Sequence, residues 1–310
     1  MLDDVWPETA SMVAAMFRSG DQLLAPGIIA NFPARYGWPV ARTTTAVPQT
    51  LARHWAMRRV AKASGGIRQR SYLHHDRAIA RRLARSIDYR ARHLVVAQSW
   101  LPWLEESGAL GGRTFDVVMS RYPLREIHRL LDAAAGELGA SPTIADFRAD
   151  PEVTAIEADL LARARRIITP HRGIAALFPG RAMLLSWHRP EPIPHASGQR
   201  IAFLGPTIAR QRPDIAWSLT RSSDEPLVVF GPILEPLWDG RSIERRGMGL
   251  GWLDGIGTII HPATMTLQPR ELLAAAASGV RIYATPTCGL DCADYEPLER
   301  FGVGEPTRRD

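Results

Sequence analysis

Residues 259–290 read IIHPATMTLQPRELLAAAASGVRIYATPTCGL, and three elements can be taken from them in turn. Residues 257–262 (GTIIHP) form a short apolar run closed by Pro262, as expected of a strand buried on both faces. A helix follows over 269–278. Pro269 takes the first turn, where a missing N–H leaves no bond unmade, a Leu/Ala run makes the body, and Gly279 ends it. Residues 280–285 (VRIYAT) then give another short apolar strand. A strand, a helix and a strand of this kind imply a parallel sheet covered on both sides.

The same grammar extends outward. Arg200–Leu204 (RIAFL), stopped by Gly205-Pro206, and 226–231 (PLVVFG) read as two more buried strands. Between them 214–220 continues a helical pattern, with Ile215, Trp217 and Leu219 supplying apolar positions. Upstream, 188–200 reads HRPEPIPHASGQR, and its prolines fix an extended path, so 189–199 is expected to link two domains. The first half is fainter, with candidate strands at 22–29, His93–Ala97, 114–119 and 166–169. One helix opens at Asp150, with Asp150 as N-cap, Pro151 in the first helical position, and Glu152 and Glu157 toward the positive end. Its apolar face is Val153, Ile156, Leu160 and Ala164. The expected fold class is α/β, with two Rossmann-like parallel-sheet domains facing across a cleft, at 1–188 and 200–310.

Composition narrows the setting. Apolar residues are 45% and charged residues 23%, ordinary for a soluble globular chain, and no run is long and apolar enough for a spanning helix. The N-terminus, MLDDVWPETA, is acidic and has no secretory pattern, and Cys288 and Cys292 are too few for a disulfide framework. A cytoplasmic location is expected. The formal charge is +6, with arginines concentrated between Arg42 and Arg92. Such a run serves either as solvated helix faces or as an attractor of anions, including the inner face of a membrane. No aromatic-interleaved platform or recognition helix accompanies it, which argues against nucleic acid as a partner.

Three segments, in order and with matching spacing, resemble GT-B glycosyltransferases of the family-4 type. They are AIEADLLARARRIITPH (155–171), AFLGPTIARQRPDIAWSL (202–219) and the 259–290 stretch. The resemblance implies sugar transfer from a nucleotide diphosphate, of the retaining kind in family terms, to a saccharide, lipid-linked or small-molecule acceptor. It implies a nucleotide sugar as co-substrate, no separate cofactor and no metal. Physically, the leaving diphosphate gains negative charge, which basic side chains and a helix N-terminus can stabilise.

The resemblance also assigns positions. Gly205 and, beyond it, Arg210 and Arg212 stand nearest the family's basic pair on the diphosphate. The family's paired donor glutamates fall, counted back from Gly279, on Thr266 and Ala274, so both carboxylates are missing. Glu271 lies on that helix one turn from the expected place, and Arg270 adds charge at its start. On the acceptor side Ser99, Arg121 and His171 lie at the ends of first-domain strands. Relatives continue with further β/α units where this sequence has only 291–310. The missing glutamates and short tail leave a second expectation open: a catalytically degenerate binding or scaffold subunit, working with a partner.

Other motifs carry less. GMGLGWLDGIG (247–257) has glycine spacing but joins no strand to a helix, so a loop is expected. Cys288 and Cys292 lack the partner pair a zinc site needs, and the adjacent His74 and His75 before Asp76 face different ways on a helix.

Overall fold

The computed structural model describes residues 1–27, 38, 43–61, 63, 65–238 and 240–302. The chain divides into two compact units, Met1–His128 with Ala145–His188, and Arg129–Ile144 with Arg189–Asp310. Among the described residues no helix is long and apolar enough to cross a membrane.

The first unit begins with α1 (Pro7–Met16), β1 (Leu23–Ala25), β2 (Thr43–Thr45), α2 (Val47–Arg59) and α3 (Gly65–Ala84). It continues through β3 (His93–Ala97), α4 (Leu101–Glu106), β4 (Thr114–Val118) and α5 (Leu124–Leu138), inside which the division between the units falls. After α6 (Pro151–Arg163) come β5 (Ile167–Thr169), α7 (Arg172–Ala176) and β6 (Ala182–Leu184). Strands β3, β4, β5 and β6 form one parallel sheet in that order, while β1 and β2 pair separately, also in parallel. Leu2 N donates to Leu24 O at 3.0 Å and Ala97 N to Met1 O at 2.9 Å, so the first residues lie between β1 and β3. Leu2, Met12, Val13, Leu23, Ala25 and Ile168 close a core over this junction.

The second unit is a six-stranded sheet. It is built from β7 (Arg200–Leu204), α8 (Pro213–Thr220), β8 (Leu227–Phe230), β9 (Ile243–Arg246), β10 (Ile256–His261), α9 (Arg270–Ala277), β11 (Arg281–Ala284) and β12 (Glu296–Pro297). All pairings are parallel, in the order β12-β11-β10-β7-β8-β9. This is the doubly wound order, in which the connections reverse direction between β7 and β10. Every residue of β8 is buried, as a strand covered on both faces requires. Phe203, Val229, Ile260 and Tyr283 pack with Ala216, Leu227, Trp238 and Leu298 on one side of the sheet.

The α/β reading with parallel Rossmann-like sheets is the fold observed, and β3 occupies the expected residues. The 22–29 expectation shortens to Leu23–Ala25; residues 28 and 29, like Arg42, lie outside the described residues. Residues 189–199 carry neither helix nor strand. They are nonetheless fastened to the second unit, with Arg189 on Asp294 at 2.7 Å, Ile193 N on Ser278 Oγ at 2.8 Å and Ala196 N on Asp254 Oδ1 at 2.8 Å. Within 247–257 the chain turns as expected, and β10 begins at Ile256.

Two capping expectations change. Asp150 occupies the N-cap position without a side-chain cap bond; its carbonyl instead accepts Thr154 N at 3.0 Å and Thr154 Oγ1 at 3.1 Å. Glu157 does not serve the helix dipole. It faces inward and is buried, because specific donors, described below, outweigh a dipole term that fades after the first turn.

Asp116 on β4 has a fully buried side chain gripped by Arg166 at 2.8 Å, Arg165 at 3.2 Å and His93 at 3.3 Å. Burial pushes its pKa up, but hydrogen bonds from Arg165 and Arg166 and the charge of His93 outweigh that, and the net shift is downward. A depressed carboxylate stabilises the fold above its unfolded pKa and ceases to as pH falls through its folded value. Asp116→Asn should therefore cost about 1–3 kcal/mol at neutral pH. In urea denaturation the gap to the parent chain should narrow below the ordinary aspartate value of 3.8; a gap independent of pH would refute the ionic role.

Candidate functional site

Two loops leave the sheet of the second unit at its reversal point. The first follows β7. Gly205 N donates to Phe230 O at 3.0 Å, and a Cβ on Gly205 would stand 2.2 Å from that same oxygen, so only glycine fits against β8. The peptide between Gly205 and Pro206 is cis. Thr207 N continues beside the next strand by donating to Pro232 O at 2.9 Å, and its hydroxyl accepts Trp238 Nε1 at 2.6 Å. Arg210 sits in the single turn Ala209–Gln211, with Nη1 3.4 Å from Thr143 O.

The second loop follows β10. Thr264 N donates to Arg210 O at 2.9 Å, tying the two loops together. Thr266 pairs its hydroxyl with His261 Nε2 at 2.6 Å and donates its N–H to Thr287 O at 3.2 Å. Thr285 Oγ1 reaches Ala263 O at 2.8 Å and Thr287 Oγ1 at 2.8 Å. Burial pulls the His261 pKa down to about 4, so this imidazole is neutral near pH 7. Among the described residues its Nδ1 and the Thr264 hydroxyl are buried without a hydrogen-bond partner. Arg270 and Glu271 open α9, Glu271 exposed, while Ala274 stands where a second carboxylate would be sought.

The arginines expected on the diphosphate thus part company. Arg212 adopts the left-handed conformation (φ 58°, ψ 51°) as N-cap of α8. Its guanidinium is held by Glu137 at 2.7 Å and Asp214 at 3.0 Å, with the side chain 13% exposed. Burial lowers its pKa, and the bonds to Asp214 and Glu137 raise it further than burial lowers it. Gly205, Arg210 and Thr266 lie on the two loops at the reversal point, and Arg270 and Glu271 open the helix that follows the second; Arg212 is turned to the start of α8.

In the first unit a cavity of about 300 Å³ opens at the C-terminal ends of β3, β4 and β5. Ser99 and Arg121, two of the residues read from the sequence, line it. His171 does not. It is 1% exposed, its Nδ1 accepts Ile174 N at 3.2 Å as the cap of α7, and its ring meets Tyr122 edge to face at 4.9 Å. Its neighbour Pro170 reaches the cavity instead.

The cavity also holds charges that sequence reasoning passed over. Arg53 of α2 donates to Asp76 Oδ1 at 2.6 Å and to Asp3 Oδ1 at 3.0 Å. Asp3 and Asp76 both line the cavity. Burial pushes the Asp76 pKa up, Arg53 pulls it down, Asp3 adds to the rise, and it settles at about 7. Behind them the buried Glu157 accepts Leu124 N at 2.5 Å and Gln98 Nε2 at 3.1 Å, with Arg121 at 3.5 Å, and burial raises its pKa. A usable signal existed in α3. Asp76 falls on the same helical face as the buried Ile79, Ala80 and Leu83, and a carboxylate inside an apolar stripe needs a partner. Cys288 is buried and Cys292 exposed, both as thiols.

No family model matches the sequence, and no curated protein matches it. Solved structures resemble the fold. The apo structure of OtsA aligns with a TM-score of 0.50 at 8% identity, covering 98% of this chain and 90% of that one. A structure of a trehalose-6-phosphate synthase, from work on glycosyl transfer with retention, gives 0.47 at 10%, covering 98% and 90%. CalG4, the calicheamicin glycosyltransferase, gives 0.42 at 14%, covering 90% and 75%. The likeness is one of fold, the GT-B architecture of parallel Rossmann-like sheets.

Two outcomes check the geometry. Gly205→Ala should lower stability by about 1–3 kcal/mol through overpacking against β8; an unchanged melting temperature would contradict the close approach. A carboxyl whose folded pKa is raised makes the fold less stable as pH climbs from its unfolded to its folded value. Between 3.8 and about 7, Asp76→Asn should therefore gain stability relative to the parent chain, read by denaturation across that range. A difference that stays flat would contradict the burial of that carboxyl.

Proposed function

We propose that the second unit binds a nucleoside diphosphate sugar at the reversal between β7 and β10, and that the chain is a glycosyltransferase using it. The observation that carries this reading is the all-parallel order with two polar loops leaving adjacent strands at the switch point. In open parallel sheets, ligands bind there, beyond the strand C-termini. The backbone N–H groups opening α9 suit a diphosphate, and Arg210 and Arg270 supply positive charge as the leaving group gains negative charge. Arg212 acts at one remove, holding the start of α8 through Asp214 and Glu137. The Thr264, Thr266, Thr285 and Thr287 hydroxyls give the loop after β10 a polar lining suited to phosphate or sugar oxygens. The first unit takes the acceptor in its cavity, with Ser99 and Arg121 at the wall. The family resemblance favours retention at the anomeric carbon.

One observation favours a second reading, a binding subunit without turnover. Thr266 is engaged with His261, Ala274 has no carboxylate to offer, and Glu271 is exposed on the first turn of α9.

Uridine or guanosine diphosphate should raise the melting temperature of the full chain. The double variant Arg210→Ala with Arg270→Ala should abolish that rise. No shift with any nucleoside diphosphate or nucleotide sugar would end the transferase reading. Release of sugar from a donor that does bind separates an enzyme from a binder.

A further inference from the structure

One stretch of the first unit carries charge that neither candidate site uses. Residues 43–92 hold twelve Lys and Arg against two Asp, while the remainder of the chain, with 26 against 30 acids, is net negative. Asp76, one of the two, is buried on Arg53. On α3, Ile67, Arg70, His74, Ala78, Arg81 and Arg85 recur at three- and four-residue spacing and are all exposed, while Gln69, Asp76, Ile79, Ala80 and Leu83 make the buried side. Helix α2 packs on α3 and exposes Trp55, Arg58 and Arg59. Glu106 takes Arg77 and Arg81, but Arg58, Arg59, Arg70 and Arg85 have no carboxylate partner among the described residues. Trp55 is 59% exposed, with the Arg58 guanidinium 5.9 Å from its ring centre; Tyr89, just past α3, is 80% exposed with Arg90 at 5.3 Å.

We propose that this face docks the chain on an anionic lipid bilayer, with the arginines on lipid phosphates and Trp55 and Tyr89 at headgroup depth. Like charges four residues apart, as Arg77, Arg81 and Arg85 are, weaken a helix, and a merely solvated face gains nothing in return. Negative lipids relieve that repulsion, and each arginine near such a surface is worth roughly fivefold in partitioning. A hollow of about 360 Å³, lined by Arg81, Arg85 and Ser107, opens beside the C-terminal end of the stripe and has room for a lipid headgroup between two guanidiniums. Trp and Tyr rings belong at the boundary of water and hydrocarbon, where the ring body is apolar and its tip stays wet. Ile67, exposed on the same stripe, suits acyl chains and offers a nucleic-acid base no ring to stack on. The contact is interfacial, with helix faces lying along the surface rather than through it. It stands independently of the transferase reading.

Flotation of the full chain with vesicles of phosphatidylcholine alone, or of an equal mixture with phosphatidylglycerol, tests this. Binding should require phosphatidylglycerol and fall as salt rises from about 0.05 to 0.5 M. Arg70→Gln with Arg85→Gln should weaken it about 25-fold, as should Arg58→Gln with Arg59→Gln. Trp55→Ala should weaken it at least about tenfold. All these side chains are exposed, so the melting temperature should hold and show that the variants are folded. Arg221→Gln with Arg245→Gln removes the same charge from exposed positions of the second unit and should leave binding unchanged. A loss matched by that control pair would overturn the proposal, as would equal binding to neutral vesicles or no binding to anionic ones. A single-stranded oligonucleotide that binds as tightly as the anionic vesicles at the same salt would assign the face to nucleic acid and overturn it too.

Discussion

Strand β7 lies between β8 and β10, and the chain departs from it in opposite directions, outward to β8 and β9 and then back to β10, β11 and β12. In open sheets of this order, ligand sites lie where the connections reverse, beyond the strand C-termini. The backbone ties the two loops there tightly. Gly205 rests against Phe230 O, and Thr264 N reaches Arg210 O, so the two loops have little freedom of their own. The apolar layer beneath makes this tolerable. Phe203, Val229 and Ile260 are fully buried, each worth about 1.5–3 kcal/mol. A net hydrogen bond is worth about 1 kcal/mol. The sheet therefore sets the fold, and the polar edge with His261 and the threonines is carried on it.

The first unit obeys the same rule with different chemistry. Its cavity again lies past the C-terminal ends of parallel strands, and its largely apolar wall carries Asp3, Asp76, Gln98 and Arg121. Arg53 holds both carboxylates; burial pushes the Asp76 pKa up, and Asp3 adds to the rise that Arg53 opposes. In the second unit Arg210 stands on the loop after β7 and Arg270 opens α9, while carboxylates of the first unit's cavity stand beside Arg53 and Arg121.

Much of the sheet was legible because β7, β8, β10 and β11 are short apolar runs bounded by Gly or Pro. Strand β9 (IERR) escaped, being an edge strand in which only Ile243 packs against the apolar core while Glu244 takes Arg200 and Arg246. The site was harder. Sequence placed Arg210 and Arg212 side by side, but Arg212 is committed through Glu137, a contact that local spacing cannot reveal. Arg53 likewise meets Asp3 and Asp76 at separations of 50 and 23 residues. His171 looked like a strand-end ligand and is instead a helix cap, because its Nδ1 is taken by the N–H of Ile174, the third residue of α7.

Hydrogen exchange measured with and without uridine diphosphate addresses the central assignment most directly. Protection is expected in 205–212 and 262–270, with the amides around Asp76 and Ser99 unchanged. Protection confined to the first unit, or absent from both loops while the nucleotide binds, would contradict placing the donor at the reversal of the second sheet.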